Sequence, residues 1–136
     1  MADPRQVYIA RARDYGTGVP AAVERLFERS RLDGLIEPGD HVLVKPNWVL
    51  EENRSGAGLE CLITHSSVIE AALACAVRAR PAGVVLGDAP VQGCNFAVLR
   101  ARAGVQRVVT RLAGSGVRID VRDFRLVRRD GRALYY

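Results

Sequence analysis

The sequence predicts an α/β domain: a three-layer arrangement with a mainly parallel sheet, helices on both faces and a C-terminal β-hairpin. Three observations predict it. Two short apolar runs, His41-Val42-Leu43-Val44-Lys45 and Gly83-Val84-Val85-Leu86-Gly87-Asp88, each end in a charged residue shortly before a proline, as strands buried in a parallel sheet do. Stretches of helical period separate them, so strand and helix alternate along the chain. The chain's 136 residues, 49% hydrophobic and 26% charged, are enough for one domain over residues 1–136 with its own core.

Taken in order, residues 6–12 read as a first strand, and Tyr15-Gly16-Thr17-Gly18 as the turn into a helix from about Val19. In that helix Val23, Leu26 and Phe27 form the apolar face and Glu24, Arg25, Glu28 and Arg29 the wet one, with closure near Gly34. Glu37-Pro38-Gly39-Asp40 is a turn before the strand that Pro46 ends, and Pro46 holds Lys45 in extended geometry at the strand's last position. Residues 48–63 form a long connection of the kind that is usually functional or mobile. A second helix follows, with Ser67 and Glu70 at capping-box spacing, Thr64 as an alternative cap, and Val68, Ala71, Ala72, Cys75 and Ala79 on its apolar stripe; Pro81 closes it. After the strand ending at Asp88, a helix or helix pair spans residues 96–113 with a break near Gly104. Val117, Ile119 and Val121 then alternate with Arg118, Asp120 and Arg122, so the last parallel strand has one face wet or covered from outside. Residues 124–127 and 133–136 around Arg129-Asp130-Gly131 read as the hairpin. An open hairpin beside an alternating strand leads us to expect self-association or a missing C-terminal continuation, residues 1–136 then being the N-terminal part of a larger domain.

Charge is unevenly spread. Residues 1–99 hold ten cations against twelve carboxylates, whereas residues 100–136 hold ten arginines against three aspartates. This arginine-rich third suits an acidic partner or a solvated face; nucleic acid is disfavoured, because no aromatic platform is interleaved with the cations. Nineteen of the twenty cations are arginine, a bias of the bacterial, codon-driven kind, and Lys45 is the only lysine. Its compact ammonium does what a planar guanidinium cannot. No apolar run approaches the ~20 residues that cross a bilayer, and no signal sequence precedes the first strand, so the expectation is a cytoplasmic protein without a membrane partner. Cys61, Cys75 and Cys94 are odd in number and widely spaced, which argues against a disulfide framework and against a zinc or iron–sulfur site. No cofactor is expected in this chain. Walker, GxGxxG, HExxH and GxSxG patterns are missing from the sequence.

Ligands of open parallel sheets sit outside the carboxyl ends of the strands. The first such edge carries Lys45-Pro46-Asn47-Trp48, the second Asp88-Ala89-Pro90 with Gln92, Cys94 and Asn95, and the second helix starts there with Thr64-His65-Ser66-Ser67. Lys45 and Asp88 are the candidate catalytic residues, and Asn47, Thr64, His65, Gln92 and Asn95 the candidate substrate-binding ones. A lysine, a helix start and side-chain amides suit a phosphate or carboxylate. Asp88 pairs with Lys45, binds a sugar hydroxyl, caps a turn, or holds a metal with His65, although no metal site is assigned. His65 is more often a helix cap than a ligand, and Cys75 belongs to the core. Cys61 and Cys94, in loops near the edge, are thiols without an assigned base.

These same residues carry a resemblance. The stretch from Gly39 to Val49, Thr64-His65 with Val68-Ile69-Glu70-Ala71, and Gly87-Asp88-Ala89-Pro90 with Gln92-Gly93 resemble, in order, the domain-of-unknown-function 362 family over about residues 5–125. Ser66 stands where proline is usual. The resemblance implies a longer family domain whose activity is mostly unassigned, with links to polysaccharide biosynthesis in some members and a ferredoxin-like iron–sulfur module in others. Here an iron–sulfur centre would have to come from another module. The expected function is binding, with or without turnover, of a small anionic or glycosyl-phosphate-like ligand at the sheet edge. The alternative is a non-catalytic assembly module docking an acidic partner or second subunit through the arginine-rich third.

Overall fold

The computed structural model describes residues 6–129 and 132–134. Its elements are α1 (Gly18–Ser30), a 3-10 turn (Leu32–Gly34), β1 (His41–Val44), α2 (Ser66–Arg78), β2 (Gly83–Asp88), α3 (Phe96–Arg102), α4 (Val105–Leu112), β3 (Ile119–Asp123), β4 (Val127–Arg129) and β5 (Arg132–Leu134). The class is α/β. Strands β1, β2 and β3 form one parallel sheet in that order, with Val44 beside Leu86 and Leu86 beside Val121.

The core lies between this sheet and one layer of helices. Val84 and Leu86 of β2, Ile69, Leu73 and Val77 of α2, Leu99 of α3, and Val105 and Val108 of α4 form a buried cluster, with Val42, Val44, Ile119 and Val121 packed against it. Alternate strand residues point the other way: in β1, Val42 and Val44 are half-buried while His41 and Leu43 are exposed. Helices were expected on both faces, but α2 and α4 share one. Two right-handed crossovers that step in the same direction put both connecting helices on the same side. Among the described residues the second face carries no helix, and Phe124, in a 3-10 turn (Phe124–Leu126), packs over Gly87.

Other boundaries differ as well. Residues 6–12 are extended but pair with no strand among the described residues, and Val7 and Ile9 are 85% and 83% exposed. Alternation alone makes a strand candidate; a neighbouring edge must also be engaged. Residues 124–126, expected as strand, instead form the 3-10 turn. β4 and β5 pair antiparallel with Val127 opposite Leu134, while residues 130 and 131 of the expected turn, and 135 and 136, fall outside the described residues. The break near Gly104 is real. Gly104 has φ +67°, a left-handed conformation that ends α3 and starts α4. No helix among the described residues is long and apolar enough to cross a membrane.

Candidate functional site

The carboxyl ends of β1 and β2 bring Lys45 and Asp88 together, with Lys45 Nζ 2.9 Å from Asp88 Oδ1. The two partners differ sharply in surroundings: the Lys45 side chain is 58% exposed and that of Asp88 only 6%. Lys45 Nζ also donates to the Pro46 carbonyl at 3.3 Å, which leaves one of its three donors facing outward. Asp88 is held by the backbone. Its Oδ2 accepts the Trp48 N–H at 2.7 Å and its Oδ1 the Ala89 N–H at 2.8 Å.

A clasp joins the end of β1 to the start of α2. The Thr64 N–H donates to the Asn47 carbonyl and the Asn47 N–H to Thr64 Oγ1, both at 2.8 Å. Next to it the chain closes a single antiparallel bridge between Trp48 and Ile63. Residues 48–63 therefore leave and return at one point, which sets the first turn of α2 beside the Lys45 strand end.

His65 is the N-cap of α2. Its Nδ1 accepts the Ser67 N–H at 3.2 Å and lies 2.9 Å from Ser67 Oγ, so the cap is the imidazole and not the expected Ser67–Glu70 box. Glu70 instead pairs with Arg111 across to α4. Tyr15 stacks on the His65 ring at 4.3 Å between centroids. The side chain of Asn95 accepts from Val98 N–H at the start of α3, and its own N–H donates to Glu51 Oε1 at 3.0 Å. Lys45, Asp88, Asn47, Thr64 and His65 thus share one corner, Asn95 is spent as a cap, and Gln92 lies exposed in the turn after β2.

Glu51 and Arg102 gave no signal in the sequence. Glu51 reaches back from the long connection to Asn95, and that backbone bond and the Cys94 thiol lower its pKa. Burial, with the Glu51 carboxylate second, pushes the Cys94 thiol up to about 11. Such a thiol is protonated at neutral pH and a poor nucleophile. Arg102 of α3 donates to the Glu51 carbonyl at 2.9 Å. Together with Glu60, His65 and Ser66 it lines a cleft of about 270 Å³ at the start of α2. Only tertiary packing brings Arg102 to that place; its arginine identity is one among nineteen.

Among the described residues no cluster of three or more His, Cys, Asp or Glu is placed to hold a metal. The Asp88–His65 pairing considered for one has its Asp88 oxygens and its His65 Nδ1 engaged by backbone N–H groups. No protein-family model, no curated protein and no solved structure matches the chain.

Proposed function

We propose that the corner formed by Lys45, Asn47, Thr64 and His65, flanked by Gln92, binds a small anion: a phosphate or carboxylate group of the kind a glycosyl phosphate carries. The observation that carries this reading is the Asn47–Thr64 clasp, because it sets an outward-facing ammonium beside the positive end of a thirteen-residue helix. Lys45 is the anion's charge partner, and Asp88 holds Lys45 and the Trp48 turn in place. In an enzyme these two would stand next to the reacting group. The adjoining cleft adds Ser66 and Arg102 as donors, with Glu60 also on its lining. The resemblance to the domain-of-unknown-function 362 family falls on the same residues, and any iron–sulfur centre belongs to another module. A cytoplasmic setting fits three cysteines that are all free thiols.

Calorimetric titration with pyrophosphate and with a hexose 1-phosphate tests the reading. Lys45→Met is expected to weaken binding by about one to two powers of ten, the worth of one charge-assisted contact. Lys45→Arg is expected to rescue part of it. Unchanged affinity in Lys45→Met removes the site.

A second reading has its own observation. On the helix-free face of the sheet, Arg118 and Arg122 flank Asp120 with side chains 81% and 60% exposed, and Leu43, two strands away across Val85, is exposed on the same face. A second subunit or an acidic partner laid on this face supplies the third layer. Sedimentation across a range of salt concentrations tests this, because a docked acidic partner is released by salt.

A further inference from the structure

Residues 6–12 pair with no strand among the described residues, and the edge of β1 away from β2 is open. Because α2 packs between α1 and α4, and α4 follows β2 toward β3, α1 projects past β1 on the open side of the sheet. Residues 6–12 run along α1. Tyr8 lies under the Arg29 guanidinium, near the C-terminal end of α1, 5.8 Å from ring centroid to Cζ. Tyr15, at the opposite end, stacks on His65 where β1 delivers its own C-terminus. The segment therefore runs antiparallel to α1 and in the same direction as β1.

Its faces also match. Tyr8 and Ala10 are half-buried toward the helices, as Val42 and Val44 are in β1, whereas Val7 and Ile9 point outward, as Leu43 does at 62% exposure. Between the end of the segment and the helices lies an apolar cleft of about 350 Å³ lined by Ala10, Ala12, Val19, Val23, Leu26 and Val68. We infer that residues 6–12 are a strap that closes onto the outer edge of β1 as a fourth parallel strand, using Tyr15 on His65 as its pinned end. The connection from strap through α1 to β1 is then the same right-handed crossover, on the same face, as those through α2 and α4. Closing puts Val7 and Ile9 beside Leu43 and satisfies the outward backbone groups of β1. The occupant is this chain's own segment, because Tyr8 and Tyr15 already hold it alongside.

Hydrogen exchange by NMR on the full chain reads the closure. The Asp40 carbonyl accepts from Ala82 at 2.7 Å, so alternation along β1 turns the Leu43 N–H outward. Closure makes the Leu43 amide and the ladder-side amides of residues 7–11 exchange about ten- to a hundred-fold slower than an open chain. Ile9→Pro, which cannot join a ladder, removes that protection and leaves the β2 amides unchanged. Random-coil exchange at Leu43 and throughout residues 6–12 overturns the inference. Protection that grows with protein concentration, alongside a dimer in sedimentation velocity, overturns it too and assigns the β1 edge to a second copy.

Discussion

The Oδ2 of Asp88 accepts the backbone N–H of Trp48 at 2.7 Å, forty positions away in the chain. One buried carboxylate at the end of β2 thus fixes the turn that follows β1, while its other oxygen holds Ala89 and the ammonium of Lys45. Two of the three groups it holds are backbone and survive any side-chain change. Lys45→Met is expected to cost about 1 to 2 kcal/mol of stability, because Asp88 keeps both N–H donors. Asp88→Ala strands the buried Trp48 N–H and is expected to cost about 3 kcal/mol. Urea denaturation of both variants checks the order; a larger loss in Lys45→Met would mean that the ammonium, not the backbone, holds the carboxylate.

His65 separates cap from ligand. His65→Ala is expected to cost about 1 kcal/mol through the lost N-cap, and His65→Asn to restore most of it, since asparagine is a good N-cap. If the imidazole also contacts the bound anion, His65→Asn recovers melting temperature without recovering affinity. Thermal melts and pyrophosphate titration of the same samples give both quantities.

Gly87 has no room for a methyl group. A Cβ there would lie 2.4 Å from the Arg122 carbonyl oxygen and 2.7 Å from the Phe124 ring. Gly87→Ala is expected to cost about 2 to 3 kcal/mol. Adding Phe124→Leu should recover only part, because the ring can be removed but the carbonyl belongs to a paired strand. Full recovery in the double variant, measured by denaturant titration, would show that the ring alone sets the limit.

Arg125 ties the turn after β3 to the turn after β2. Its guanidinium meets Asp123 at 2.6 Å and donates to the carbonyls of Val91 and Cys94, each at 3.0 Å. The Arg125 side-chain hydrogen bond, ahead of other causes, holds the Asp123 pKa below its ordinary 3.8. A carboxylate depressed in the folded state contributes stability above its unfolded pKa and loses it as pH falls through the folded one. Asp123→Asn is therefore expected to flatten the stability profile below about pH 4, as followed by melts between neutral and acid pH. An unchanged acid limb would count against the pairing.

The thiols should differ in reactivity. Cys61 is exposed, whereas Cys94 is buried with its pKa raised from 9.0 to about 11. Iodoacetamide at pH 8 is expected to label Cys61 rapidly and Cys94 only on unfolding, as read by peptide mass spectrometry. A thiol held protonated in the fold also makes stability fall as pH rises from 9 to about 11. Rapid native labelling of Cys94 would contradict its burial.

β2 was legible because Gly83 through Gly87 is an uninterrupted apolar run that ends in Asp88 with a proline two residues on, and its local signals agree with its central place in the sheet. β1 was legible for the same reason, and Pro46 fixed its end. Residues 6–12 hold a similar apolar run from Val7 to Ala10, yet no local pattern tells whether a strand finds its neighbour. The Lys45, Asp88, Thr64 and His65 corner followed from one topological rule about strand ends. Of the roles inside it, only the cap at His65 followed. That Asp88 holds Trp48 and that Glu51 reaches Asn95 depend on side-chain reach across 40 and 44 positions, which spacing alone does not encode.

The long connection between Trp48 and Ile63 is tied at its neck by their bridge and by the Asn47–Thr64 clasp, and Gly56 at φ +76° stands exposed near its tip. Lengthening a loop whose ends are fixed costs only about 0.6 kcal/mol for each doubling. The tip around Ser55 and Gly56 is therefore a natural insertion point: a tag, an epitope or a fluorescent reporter placed there leaves the neck, and the corner it holds, in register.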